Sequence, residues 1–117
     1  DLMAEAAAIL CGYRDFTSFS KRNTQVRTFI CELLESRWEV NEGGCAYVVT
    51  GNRFLRGMVR ALTATMLRVG RGRMSIAEFR RVIEARDCTL ADFAVPAHGL
   101  FLERVEYPAG YFSVDGL

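Results

Sequence analysis

The sequence predicts an α+β domain in which helices pack on one face of an antiparallel sheet. Three observations predict this fold. Apolar residues recur at helical spacing in three segments, two runs rich in β-branched and aromatic residues flank the turn-forming letters NEGG, and an alternating run precedes Pro108. Half of the 117 residues are apolar, which suits a single domain with its own core. Helices and strands segregated in this order are typical of the α+β class.

Each element follows from a local pattern. Helices are predicted over residues 2–11 and 53–69, and a third helix from its cap at Ser75 to Arg86 and Asp87, which close it; strands are predicted over 26–40, 45–51 and 99–107. Residues 15–20 form a loop. Ser75 and Glu78 have the spacing of a capping box, which places the start of the third helix. The alternation of the first strand slips near Leu33 and Leu34, which indicates a β-bulge.

Composition excludes several classes of protein. The formal net charge is only +1, so any site for a polyanion must come from local clustering of cations. Apolar stretches fall far short of the roughly 20 residues that span a bilayer, and no signal-peptide pattern is present. Spacing gives no metal-binding pair for Cys11, Cys31, Cys45, Cys88 or His98. We therefore expect no metal, no membrane contact, and reduced, buried thiols in a cytoplasmic protein.

The predicted helix 53–69 has an unusual distribution of charge. On a wheel of about 100° per residue, its apolar residues form one broad face, and arginines gather within roughly 60° on the opposite side. These arginines are Arg53, Arg56, Arg60 and Arg71. One interpretation is an ordinary solvated face. The other is a contact with an anionic partner, since no acidic residue is interleaved and guanidinium groups bind phosphate or carboxylate well.

Several short strings occur together in one order. They are DFTSF, RT, GNRFLRGMVR, RVGRGRMS, ARDCTLA and VPAHGLFLERVEYP. Over residues 15–108 the chain resembles the carboxy-terminal half of the tRNA pseudouridine synthase A family. The chain also begins at Asp1 without an initiator methionine, which is typical of an excised piece of a longer protein. We therefore expect residues 1–117 to be the carboxy-terminal lobe, without the amino-terminal lobe.

The resemblance implies a function. This family isomerises uridine to pseudouridine in the anticodon stem-loop of tRNA, without a metal or an organic cofactor. Its members are two-lobed homodimers, each with an active cleft between the lobes. The family nucleophile is an aspartate in an R-T-D-x-G-V-H-A motif of the amino-terminal lobe. None of the aspartates of this chain lies in that motif: Asp1, Asp15, Asp87, Asp92 and Asp115. This chain alone is therefore expected to be inactive.

The resemblance also assigns individual residues. Arg60 matches the arginine that pairs with the catalytic aspartate of the other lobe. The residues that match the border of the pocket are Phe54, Leu55, Leu100 and Leu102, for which a plain core role is the structural alternative. The candidates for phosphate contacts are Lys21, Arg22, Arg53, Arg56, Arg71 and Arg73. Phe16 and Phe19 either offer aromatic surface to a flipped base or fix their loop as buried residues.

Two other functions remain open on sequence alone. The first is a noncatalytic RNA-binding or dimerisation module that shares this lobe. The second is a protein-interaction domain whose arginines bind an acidic partner. An R-T-D-x-G-V-H motif encoded upstream of Asp1 would favour the enzyme, and steep salt dependence of tRNA binding would disfavour the protein-interaction domain.

Overall fold

A computed structural model describes residues 2–21, 28–41, 44–93 and 100–106. Within these residues lie three α-helices, one short 3-10 turn at Thr17–Phe19, and three strands. In chain order the elements are α1 (Leu2–Leu10), β1 (Leu33–Asn41), β2 (Gly44–Gly51), α2 (Met58–Gly70), α3 (Ile76–Ala85) and β3 (Leu100–Glu106). The α+β fold class predicted from the sequence is confirmed.

The described strands form one sheet in the order β1-β2-β3. β1 and β2 pair antiparallel as the predicted hairpin, and the register shifts between Leu33 and Glu35, where the bulge was expected. β3 pairs with β2 in the parallel direction, so the sheet is mixed and not purely antiparallel. The reason is the connection: α2 and α3 together form a long crossover between β2 and β3, and only such a crossover can join parallel neighbours.

Two predicted boundaries are wrong. The first strand was expected to begin at residue 26, but β1 begins at Leu33. Residues 28–32 run beside the loop 15–20, where Ile30 forms a single bridge with Asp15. The second helix was expected from residue 53, but α2 begins at Met58, after Gly57 has turned the chain with φ of +74°. Residues 26, 27, 42, 43, 99 and 107, which also belonged to predicted strands or turns, lie outside the described residues.

All three helices share one hydrophobic core with one face of the sheet. From the sheet, Leu33, Tyr47 and Val49 join this core, and Trp38 packs against its margin. The Tyr47 hydroxyl is buried and lies 2.6 Å from the Ser36 hydroxyl, so each buried oxygen has a partner. The prediction that helices cover one face is therefore correct. Ala46 and Val48 have the opposite parity on β2 and are also buried.

The start of α3 agrees with its prediction in detail. The Ser75 side chain accepts a hydrogen bond from the Glu78 backbone N–H at 3.1 Å, and the Glu78 carboxylate accepts one from the Ser75 backbone N–H at 3.1 Å. Phe79, Val82 and Ile83 are buried, as the apolar stripe predicted. Arg86 then ends the helix in the left-handed conformation, with φ of 54°. α3 thus has the reciprocal cap that its sequence specifies.

Candidate functional site

The string GNRFLRG is an anchored turn in front of α2. The Asn52 side-chain oxygen accepts a hydrogen bond from the Glu32 backbone N–H at 2.8 Å, and the Asn52 N–H donates to the Glu32 carbonyl at 3.0 Å. The Arg53 guanidinium donates to the carbonyls of Thr28 and Ile30 at 2.9 and 3.1 Å. The chain therefore uses Asn52 and Arg53 to hold the segment that leads into β1.

The bounds of α2 correct the prediction that four arginines form one stripe along the helix. Arg53 and Arg56 precede α2, so they do not continue a helical stripe with Arg60. Arg71 caps the other end of α2, eleven residues after Arg60, or about 16 Å along the axis at 1.5 Å per residue. Arg73 follows beyond it, and both side chains are exposed. Those of the predicted cations that the structure describes thus divide into two groups, one at each end of α2.

Gly57 determines where α2 begins. Its φ of +74° is a conformation that residues with a Cβ adopt only at a cost. A Cβ added there would also lie 2.8 Å from Cγ of Lys21. The Lys21 backbone N–H donates to the Arg56 carbonyl at 3.0 Å, so the stem of Lys21 crosses directly over the first turn of α2. Lys21, Arg56 and Arg60 are in this way brought to one end of the helix.

Arg60 is exposed in that first turn, between two buried neighbours on the helix. The turn contains no acidic residue, and Gly57 provides no side-chain cap. Among the ion pairs of the described residues, none includes Arg60, Arg56 or Lys21. A cation near a helix N-terminus faces the positive end of the macrodipole, which is unfavourable by about 0.3–1 kcal/mol. The start of α2 is therefore a concentration of positive charge that an anion would stabilise.

The two apolar residues matched to the pocket border are part of the core. Phe54 and Leu55 are both 0% exposed and belong to the main hydrophobic cluster. Their structural interpretation, plain core, is supported. Leu100 and Leu102 lie in β3 by their backbone, and the placement of their side chains is outside what the structure describes. Arg22 and His98 also lie outside the described residues.

The DFTSF element has a structural role. Phe16 and Phe19 are 0% exposed, so neither offers an aromatic surface to a base. Asp15 accepts from the Thr17 N–H at 3.0 Å and pairs with Arg86 at 3.3 Å. The buried Ser18 hydroxyl donates to the Val82 carbonyl at 2.6 Å and accepts from the Asp87 N–H at 2.9 Å.

A second Asp-centred turn completes this link. The Asp87 carboxylate accepts from the N–H and the hydroxyl of Thr89 at 2.9 and 2.7 Å, which folds the RDCT element into a tight turn. Because Ser18 bonds to Asp87, the two turns are held against each other. The segments that contain the two turns therefore lie close together.

A small pocket lies between the segments that contain these two turns, and sequence reasoning missed it. Its volume is about 220 Å³, and its lining includes Ser20 and Lys21 from the first segment and Cys88 and Phe93 from the second. The first pair of lining residues is more than 60 positions from the second pair in the chain. No local pattern marks them, because the bonds of Ser18 that bring the two segments together join residues 64 and 69 positions apart.

The described cysteines are free thiols in different environments. Cys31 is buried, Cys88 is half-buried and Cys11 is exposed, so the prediction of buried thiols is wrong for Cys11. Burial raises the pKa of Cys31 to about 11, although the nearby Arg53 lowers it in part. In the described part of the chain no three His, Cys, Asp or Glu side chains gather as a metal site. None of the helices there is both long and apolar enough to cross a bilayer.

Comparison with known proteins assigns this domain to a class. Residues 6–108 match the sequence model of a family described as tRNA pseudouridine synthase. Because the match extends over most of the 117 residues, the chain belongs to the tRNA pseudouridine synthase family. The resemblance stated from the sequence is confirmed.

Three individual relatives show how similar the chain is to particular proteins and how much of each it covers. A tRNA pseudouridine synthase A from Porphyromonas gingivalis is 48% identical over 112 residues, which cover 94% of this chain and 44% of the relative. One from Parabacteroides distasonis is 45% identical over 115 residues, covering 98% and 46%. One from Bacillus pumilus is 39% identical over 107 residues, covering 92% and 43%. The chain therefore spans less than half the length of these curated relatives.

Proposed function

We propose that this chain is the carboxy-terminal lobe of a tRNA pseudouridine synthase, an isomerase that converts uridine to pseudouridine in the anticodon stem-loop of tRNA. In this proposal Arg60 forms an ion pair with the catalytic aspartate of the amino-terminal lobe. The observation that carries the proposal is the position of Arg60 itself. It lies exposed at the start of α2, in a turn without any acid, where a carboxylate from another lobe would relieve an unfavourable charge.

The chemistry requires such a cation. An aspartate nucleophile must be ionised to attack the ribosyl uridine, and a closed cleft that excludes water disfavours ionisation. A guanidinium at hydrogen-bond distance favours the charged form and fixes the orientation of both carboxylate oxygens. The attack displaces the base from the sugar; the base turns and bonds to the sugar through carbon as the aspartate leaves, and that carbon loses a proton while the freed ring nitrogen gains one. Arg60 takes no part in bond making; it keeps the nucleophile charged and aligned.

Exposed cations on this lobe supply contacts to tRNA phosphates. Lys21 and Arg56 lie beside Arg60, and Arg71 and Arg73 lie at the far end of α2, so a strand of RNA could follow the helix. Arg53 is a weaker candidate than its sequence position indicated, because its guanidinium is bonded to two backbone carbonyls. Such contacts position RNA without reading its sequence.

The proposal includes further features that the family resemblance supports. The complete protein would act as a homodimer in the cytoplasm, without a metal or organic cofactor, and its cleft would form where the amino-terminal lobe meets Arg60. The rival function is a noncatalytic RNA-binding or dimerisation module that shares this lobe. An upstream reading frame that encodes an R-T-D-x-G-V-H motif would decide for the enzyme.

The test is Arg60→Ala in the complete protein that contains this chain. We expect turnover on unmodified tRNA transcripts to fall by at least about 100-fold, the loss typical when a preorganised electrostatic contact is removed. Affinity for tRNA should stay within a few-fold of the unsubstituted protein. Arg68→Ala is the matched control, because Arg68 is an exposed arginine of the same helix that pairs with Asp92 at 3.8 Å. Equal turnover in both variants would exclude this role for Arg60.

A further inference from the structure

The pocket between Lys21 and Phe93 has walls that the fold holds in place. On the segment of Ser20 and Lys21, the Ser18 hydroxyl bonds to the Val82 carbonyl of α3 and to the Asp87 backbone N–H. On the other segment the Asp92 backbone, next to Phe93, exchanges hydrogen bonds with the buried Thr65 hydroxyl of α2, at 3.1 and 3.4 Å. Both pocket-forming segments are thereby anchored to helices. A site with anchored walls loses little conformational entropy when a ligand binds.

The lining has the chemistry of a site for single-stranded nucleic acid. Phe93 packs partly against the core and remains partly accessible, so its ring can form one flat wall. Lys21 is exposed at the rim and has no ion pair with another described residue. An aromatic ring for stacking beside a cation for phosphate is how proteins bind unpaired nucleotides.

The size of the pocket limits its occupant. Its volume of about 220 Å³ is below the ~300 Å³ at which pockets for drug-sized ligands begin, and it suits one planar base. The pocket also adjoins the proposed catalytic position. The Lys21 stem lies over Gly57, which immediately precedes α2 and is three residues from Arg60, a separation of about one helical turn of 5.4 Å.

We propose that this pocket binds a base adjacent to the target uridine in the RNA strand, stacked on Phe93, while Lys21 contacts its phosphate. This inference rests on the proposed function, because it assumes that the target is presented at Arg60. It adds a second point of attachment for the strand. A base that is held there keeps the neighbouring uridine unstacked, and extrusion of the target is a requirement for any enzyme that acts on a base.

The experiment compares pocket variants in the complete protein. Phe93→Leu keeps an apolar side chain and removes the stacking surface, so we expect affinity for an unmodified tRNA transcript to fall about 5- to 100-fold. Phe93→Tyr keeps an aromatic ring and should bind the transcript as the unsubstituted protein does. Lys21→Gln should weaken binding and lower the slope of log K against log salt by about 1. Leu90→Ala, an exposed apolar residue of the same loop that does not line the pocket, is the matched control and should bind normally.

A fluorescent probe locates the base itself. With 2-aminopurine placed next to the target uridine, stacking on Phe93 should quench fluorescence in the unsubstituted protein and in Phe93→Tyr, and not in Phe93→Leu. Thermal unfolding of each variant shows whether it is folded. If Phe93→Leu and Lys21→Gln bind tRNA normally and quenching persists, the pocket inference is wrong although the enzyme function stands. If the unsubstituted protein neither binds nor isomerises tRNA, the proposed function fails first.

Discussion

The helices α2 and α3 begin in opposite ways. α3 has a serine cap, a reciprocal glutamate and an acidic first turn, all of which favour a helix in water. α2 begins at a glycine in the left-handed conformation, without a side-chain cap, and its first turn carries an arginine and no acid. The two starts are only 18 residues apart in the same fold. The interactions that stabilise a helix end in water therefore explain where α3 begins, but they do not explain where α2 begins.

The difference shows where the sequence departs from the rules that stabilise isolated helices. α2 is stable because of its burial: Met58, Val59, Leu62, Met66 and Val69 all lie in the core. With that support, the first turn can carry charge that would be unfavourable elsewhere. Departures of this kind are expected at functional sites, where a protein gives up some stability for chemistry. The start of α2 is the clearest departure in the described residues.

Arg60→Glu is expected to have the largest effect, because it should raise the stability of the chain and lower the activity of the complete protein. A glutamate in the first turn interacts favourably with the helix dipole, so we expect the 117-residue chain to become more stable by about 0.3–1 kcal/mol. In the complete protein the same change places a carboxylate against the catalytic aspartate, and turnover should fall by at least about 100-fold. Thermal unfolding and a tRNA isomerisation assay measure the two effects. A loss of stability in the isolated chain would contradict our account of this helix start.

Gly57→Ala tests the unusual start of α2 through its backbone. We expect a loss of about 1–3 kcal/mol in the free energy of unfolding, because alanine is strained at φ of +74° and its Cβ would displace Lys21. Gly72→Ala is the matched control, since Gly72 has φ of +76° with open space around it, and it should cost less. Lys21→Ala should reduce the cost of Gly57→Ala to that of the control. Denaturant titration of the four variants, read as a double-mutant cycle, gives the coupling.

The same two helix starts show what could be predicted from the sequence. The cap of α3 was predicted correctly because its signal spans only four residues, Ser75 to Glu78. The start of α2 was predicted five residues too early, at residue 53 instead of Met58. Phe54 and Leu55 are buried, as a helix face would be, but they reach the core through a turn. The helical spacing of apolar residues continues through the turn before α2. Neither this spacing nor burial could therefore locate the start of α2.

The residues of the candidate site also differ in whether the sequence could predict their positions. Arg60 could be singled out by its family match and by the lack of acids around it. Lys21 could be listed as a cation, but its position over Gly57 depends on a contact between residues 36 positions apart. The pocket at Phe93 depends on bonds from Ser18 to residues more than 60 positions away. Contacts at such separation leave no periodic or motif-like trace in a single sequence.

The smallest expected effect concerns acid and the cap of α3. The Ser75 backbone N–H, and secondarily its side chain, lower the pKa of the Glu78 carboxyl from 4.5. Because the folded pKa is the lower one, the contribution of Glu78 is fully present above pH 4.5 and is lost as the pH falls through the folded pKa. Glu78→Gln should remove this part of the acid dependence of the melting temperature.

Ser75→Ala tests which bond lowers the pKa of Glu78. This variant keeps the backbone N–H that has the larger effect, so we expect part of the acid dependence to remain, together with a loss of about 1 kcal/mol from the missing cap. Melting temperatures from pH 3 to pH 7 compare the variants with the unsubstituted chain. Arg60→Ala should show the same acid dependence as the unsubstituted chain, because α2 has no carboxylate in its first turn. If Glu78→Gln retained the full acid dependence, the capping box would not be its source.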